Sequence, residues 1–198
     1  SKGGINVDIS ALSPSERERL SRQFIKHMDP ILGPNTDIPA PDMYTNAQTM
    51  AWYLDEYEAM HGNCPAAFTG KPTELGGIDG REEATGYGLA YVLQQYAEKK
   101  HFDFHRTSIA IQGFGAVGLH AAQRLYKKGF KIVAISDITG AYLSSSDGFH
   151  IPEICEYVKI KGSLKGIECV KKISNEELIV TPCDFLVPCA IGGIIHEK

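Results

Sequence analysis

Two kinds of hydrophobic pattern alternate along this chain. One is a spacing of three to four residues, which predicts amphipathic helices; the other is a short unbroken apolar run, which predicts buried strands. Ser13-Pro14-Ser15-Glu16 reads as a capped helix start, with Pro14 in the first turn and Glu16 completing a capping box. Leu20, Phe24, Ile25 and Met28 then keep helical spacing as far as Asp29-Pro30. The stretch from Leu32 to Tyr44 is rich in Gly, Pro, Asn and Asp and predicts an ordered loop. A second helix is expected from about Asn46 to Met60, with Met50, Leu54 and Tyr57 on its inner face and Gly62 as its stop. After a glycine-rich passage from Thr69 to Gly80, the spacing of Ala84, Gly88, Tyr91, Val92 and Tyr96 predicts a long helix from Arg81 to about Lys99. Its small residues Ala84, Gly86 and Gly88 leave room for backbone or a flat ligand.

Beyond that point the rhythm is strand, helix, strand. Thr107 to Gln112 and Lys131 to Ser136 are apolar runs, separated by a helical pattern from Val117 to about Lys128 that Gly129 closes. A further helix is expected over Ile151–Ile160, and Phe185-Leu186-Val187 reads as a third parallel strand. Between the first strand and its helix stands Gly113-Phe114-Gly115-Ala116-Val117-Gly118. Such a G-x-G-x-x-G is common by chance, but here it follows a strand, opens a helix, and has an acid, Asp137, ending the next strand. In that setting Gly113 permits the tight turn, Gly115 lets a pyrophosphate reach backbone N–H groups, and Gly118 lets helix pack on strand. The positive end of the helix faces the phosphates. Asp137 would accept hydrogen bonds from a ribose, and its charge favours NAD over NADP; the plainer alternative is that Asp137 caps a turn. The expected fold class is α/β: a doubly wound Rossmann-like nucleotide-binding domain over 69–198, incomplete at its C-terminal side, preceded over 1–68 by part of an α/β substrate domain.

Composition narrows the partners. A formal charge of −4 with no basic cluster argues against nucleic acid, and Lys99-Lys100-His101 is read as a solvated helix end. No apolar stretch is long enough to predict a membrane span. The five cysteines are odd in number and never spaced as Cys-x-x-Cys. They predict neither a disulfide framework nor a zinc site, and suit a reducing compartment, cytoplasm or mitochondrial matrix. His101 and His105 are four apart, but the intervening residues predict a loop, so no metal is expected. Ser1-Lys2-Gly3-Gly4-Ile5 lacks the basic and apolar regions of a signal peptide and is expected to lie inside a domain.

Several stretches occur in an order that resembles the Glu/Leu/Phe/Val dehydrogenases, and among them those acting on glutamate. They are Ser1–Ile5, Thr36–Asp42, Gln48–Trp52, Thr69–Pro72, Gly80–Gly86, the glycine motif, and Pro188–Gly193. The resemblance implies reversible oxidative deamination of L-glutamate to 2-oxoglutarate and ammonia with NAD or NADP, in a homo-oligomer of the hexameric kind. It implies that Lys2 is catalytic: a lysine in a water-poor cleft sheds its proton readily, activates water and, once charged, polarises a carbonyl. It also implies that Asp42 carries protons to and from the substrate nitrogen, with Pro41 beside the substrate. Arg81 and Thr85 are implied to touch the cofactor, near its phosphates and its nicotinamide amide. On bare spacing Lys2 is a tail lysine and Asp42 a loop acid; the roles come from the resemblance alone. Ala116 departs from it, since many relatives carry Asn there. The lysines that grip the substrate carboxylates in the family fall outside these residues, so the 198-residue chain by itself is expected to be inactive. Leucine, phenylalanine or valine as substrate, or a non-catalytic nucleotide-binding role, are the alternatives.

Overall fold

The computed structural model describes residues 3–144, 147–168, 170–190, 192–193 and 195. The chain divides into two compact units, Ser1–Glu82 and Glu83–Lys198.

In the first unit, α1 (Pro14–Met28) packs on α2 (Ala47–His61). Both helices begin where a side chain can satisfy free backbone donors. Ser13 and Glu16 form a reciprocal capping box at α1, and Asn46 and Thr49 form another at α2. Gly62 ends α2 at φ 80°. The core gathers Ile25, Met50, Tyr53, Leu54 and Tyr57 from the helices and Phe68 from the following loop. Its rings meet at an angle, Tyr57 against Phe68 with centroids 5.7 Å apart, the edge-to-face arrangement aromatic pairs prefer. Outside the core, Arg22 donates to Glu18 and to Asp55, and Lys26 pairs with Glu56, tying one helix to the other. Among the described residues of this unit the only β structure is an isolated bridge, Leu32 with Asp37.

The second unit is built on a sheet ordered β4-β3-β2-β1-β5. Strands β1 (Ser108–Gln112), β2 (Lys131–Asp137) and β5 (Phe185–Pro188) are parallel. Strand β3 (Gly140–Ser144) runs antiparallel to β2, and β4 (Val170–Ile173) antiparallel to β3. Ile109, Ile111, Ile132, Ile135 and Val187 form one buried cluster with α3 (Arg81–Lys99), α4 (Ala116–Lys127) and α5 (Ile151–Lys161). Ala110, Ala134 and Ala141 gather instead with Leu178 of the short α6 (Asn175–Ile179). Alternation along β1, together with a register shift in β2 between Ile132 and Ala134, puts branched residues under the long helices and alanines under the short one.

The structure revises three expectations. The apolar stripe of α3 is not its buried side. Gly86, Ala90, Gln94 and Ala97 are buried, while Tyr91, Val92 and Tyr96 are more than half exposed. Apart from Gln94 the buried line consists of small residues, and at Gly86 α3 approaches α4 closely: a Cβ there would come within 2.6 Å of the Val117 carbonyl oxygen. Gly88, expected to help that approach, faces open space. The antiparallel pair β3–β4 and helix α6 are the other additions, so the sheet is mixed, with a parallel centre. His101 and His105 do lie outside any α-helix, and no group of metal-binding side chains occurs among the described residues.

Candidate functional site

In the second unit the site is assembled by backbone. The turn from β1 into α4 begins at Gly113, whose φ of 92° is open to glycine at little cost. Its N–H donates to the hydroxyl of Ser136, which is buried at the end of β2. A Cβ here would also press on Ala190, 2.9 Å away. Phe114 is buried in the main core and anchors the turn. Gly118 sits one helical turn into α4, where a Cβ would collide with the carbonyl of Gly113 and crowd Ile111. Gly115 differs from both. It is the N-cap of α4, is exposed, and has nothing within 4 Å of where a Cβ would be.

Gly115 therefore leaves an opening over the start of α4. No side chain caps that helix and no acid stands in its first turn, so its leading N–H groups are not satisfied by a cap. Ala116 is exposed and Val117 half-buried beside that opening. Free N–H groups and the positive end of the helix dipole are what the pyrophosphate of a dinucleotide requires.

Asp137 ends β2 as expected, but its carboxylate is already engaged. One oxygen accepts from the backbone and hydroxyl of Thr139, at 2.7 and 2.5 Å; the other accepts from the backbone of Leu164 at 2.6 Å. The turn-capping role is thus filled, and what remains for a ribose is the lone-pair capacity left on the two oxygens. Thr85 is exposed on α3, immediately before the close-packed Gly86. Arg81 is exposed at the first position of that helix. Cys189 follows β5 and its backbone N–H donates to the carbonyl of Gln112. Burial pushes its thiol up to about 11, which disfavours the thiolate.

In the first unit the candidate residues stand on the loop before α2. Asp42 is exposed, and its backbone exchanges hydrogen bonds with Thr45: its N–H donates to the Thr45 hydroxyl at 2.7 Å, and its carbonyl accepts from the Thr45 backbone at 3.0 Å. One carboxylate oxygen accepts from the N–H of Met43. Pro41 is held from the other side by Gly70, which has φ 71° and no room for a Cβ beside the proline ring. The Thr69 N–H donates to the carbonyl of Pro39, so the segment Thr69–Gly70 clamps the Pro39–Asp42 loop. Asp42 is among the residues lining a cavity of about 590 Å³ with Phe24, Met28, Pro39 and Thr49. Leu20, Phe24 and Met28, one turn apart on α1, line this cavity, and Phe24 and Met28 also pack against the core of this unit. Lys2 lies outside the described residues.

A sequence profile of the Glutamate/Leucine/Phenylalanine/Valine dehydrogenases matches residues 76–198, and one of the dimerisation domain of Glu/Leu/Phe/Val dehydrogenases matches residues 1–59. An NADP-specific glutamate dehydrogenase of Saccharolobus shibatae is 43% identical over 197 residues, 99% of this chain and 46% of that protein. The hetero-hexameric glutamate dehydrogenase of Thermus thermophilus in its leucine-bound form superposes with a TM-score of 0.86 at 32% identity, over 96% of this chain and 45% of its own. That of Peptoniphilus asaccharolyticus gives 0.66 at 34% identity, over 93% and 43%. The chain spans less than half the length of each of these proteins. Matched over most of its length, and carrying a glycine turn open at Gly115 and closed at Gly118, the chain belongs to the Glu/Leu/Phe/Val dehydrogenase family.

Proposed function

We propose that the protein to which this chain belongs oxidatively deaminates L-glutamate to 2-oxoglutarate and ammonia, reversibly, with a nicotinamide dinucleotide. The observation that carries the reading is the uncapped start of α4 beneath the open Gly115, in a chain of this family. The cofactor is assigned to the second unit, with Arg81 just before it, and the substrate chemistry to the first, whose Thr69 and Gly70 brace the Pro39–Asp42 loop. Gly113 to Gly118 hold the pyrophosphate through backbone N–H groups, Arg81 supplements them with charge, and Thr85 offers a hydroxyl to the nicotinamide amide. When bound, the nicotinamide supplies the hydride acceptor or donor. Lys2 activates water and then, protonated, draws electrons from the substrate carbonyl oxygen; Asp42 takes the proton from the substrate nitrogen and returns it in the reverse direction; Pro41 shapes the loop that presents Asp42. The family resemblance supports an oligomer of identical subunits, whereas the Thermus relative is a hetero-hexamer, and a reducing compartment, cytoplasm or mitochondrial matrix, suits the free cysteines.

The decisive measurement is glutamate-dependent reduction of NAD and NADP by the intact protein. Asp42→Asn is expected to lower kcat by about 100-fold or more with cofactor affinity unchanged, the usual scale for a lost acid–base group. A full rate in that variant, or in Lys2→Ala, overturns the assignment. The negative charge of Asp137 supports NAD, so kcat/KM should be higher with NAD than with NADP. The reverse order, matching what the name of the Saccharolobus enzyme says of that protein, would remove that preference and leave the rest standing.

A further inference from the structure

Gln112 is the last residue of β1, one position before the glycine turn. It is only 8% exposed, and its side-chain oxygen Oε1 has no hydrogen-bond partner, the sole buried side-chain nitrogen or oxygen so placed among the described residues. An amide buried without a partner is costly to keep, and such groups in folded proteins ask for an explanation. Packing does not supply one, because a leucine or methionine would fill the same space without that cost.

Position supplies one. Gln112 pairs in register with Pro188 of β5, and its carbonyl accepts from Cys189 at 2.7 Å, so it stands where β1 meets β5 at their carboxyl ends. From β1 the chain runs through α4 to β2 on one side, whereas β5 arrives on the other. That reversal is a topological switch point, and in open α/β sheets it marks the crevice that takes the ligand. A dinucleotide with its pyrophosphate at Gly115 and its adenosine toward Asp137 at the end of β2 must send its other half toward β5.

Resting on the function proposed above, we propose that the Gln112 side-chain amide is a cofactor-binding group for the nicotinamide-riboside half. It would accept a hydrogen bond from a ribose hydroxyl or from the carboxamide N–H. The two orientations of the Gln112 amide are equivalent for this purpose: with its ends exchanged it donates to the hydroxyl or to the carboxamide oxygen instead.

Three ligands separate the possibilities in the intact protein: NADH, ADP-ribose and ADP, each titrated calorimetrically against the parent and Gln112→Leu. The leucine variant should bind NADH about tenfold more weakly and ADP equally well, with the thermal midpoint of the free protein unchanged or raised. A weakened ADP-ribose complex assigns the bond to the ribose; an unweakened one assigns it to the carboxamide. Equal losses for ADP and NADH, no loss for either, or a lowered midpoint in the free protein each overturn the proposal. A lowered midpoint would mean that Gln112 has a structural partner within the protein. Gln112→Met, unbranched and of matching length, carries the same expectations if the leucine variant does not fold. A parent protein that binds neither NADH nor NADPH overturns the proposed function itself, and with it this inference.

Discussion

The two units hold their candidate residues by opposite means. In the second, the site is a backbone shape: Gly113, Gly115 and Gly118 bend a strand into a helix, and only Gly115 leaves space above itself. In the first, the site is a side chain on a loop: Asp42 stands on a segment stapled by Thr45 and clamped by Thr69 and Gly70. A site made of backbone must be built from residues that permit one conformation, so its purpose shows in its composition. A site made of one carboxylate can sit on almost any ordered loop.

The comparison breaks most visibly at the glycines. Gly118→Ala forces a Cβ into the Gly113 carbonyl and should cost about 3 kcal/mol, the upper part of the range for overpacking, seen as a large fall in the thermal midpoint. Gly115→Ala meets no atom and has φ −80°, so it should fold as the parent does and lose cofactor affinity instead. If both variants lose stability alike, the separation of structural from ligand-facing glycines fails. Next in size, Gly70→Ala combines a φ of 71° with a clash on Pro41; it should cost about 2 kcal/mol. It should also lower kcat by displacing the Asp42 loop. An unchanged kcat would show that the clamp does not set that loop.

The smallest effect concerns the seam between β1 and β5. The backbone N–H of Ser108 at 2.7 Å, and then its hydroxyl, hold the Asp184 carboxyl below the usual carboxylate range. A carboxyl whose pKa falls on folding stabilises the folded state above its unfolded value, near 4, and that contribution is lost as pH drops through the folded value. Asp184→Asn should therefore lower the thermal midpoint slightly at pH 7, with the difference shrinking below about pH 4. A difference that grows on acidification would contradict this.

How far the sequence foretold the molecule follows the same division. Helix ends were legible where a side chain caps them, at Ser13 and Asn46, or where a glycine turns the backbone, at Gly62, because both are local chemistry. The long helix α3 was legible in length but not in orientation. Its tyrosines form the more hydrophobic stripe, yet the side that packs is the one small enough to let α4 in. Strand β3 was hidden because Asp137-Ile138-Thr139-Gly140 reads equally as the end of a nucleotide-binding strand and as a tight hairpin, and it is the latter that connects β2 to β3. The bond from Leu164 to Asp137 spans 27 residues, and the isolation of Gln112 Oε1 depends on what surrounds it in space; no local pattern encodes either.

Strand β4 ends the described sheet opposite β5, and its sequence is Val170-Lys171-Lys172-Ile173 with both lysines exposed. An open edge is a template for any passing strand, and charge at its centre is a common deterrent. Lys171 and Lys172 thus make pairing of a further strand along this edge of the described sheet less favourable. Their contribution would be read in colloidal behaviour, as the concentration at which the protein stays dispersed, and hardly at all in its melting temperature.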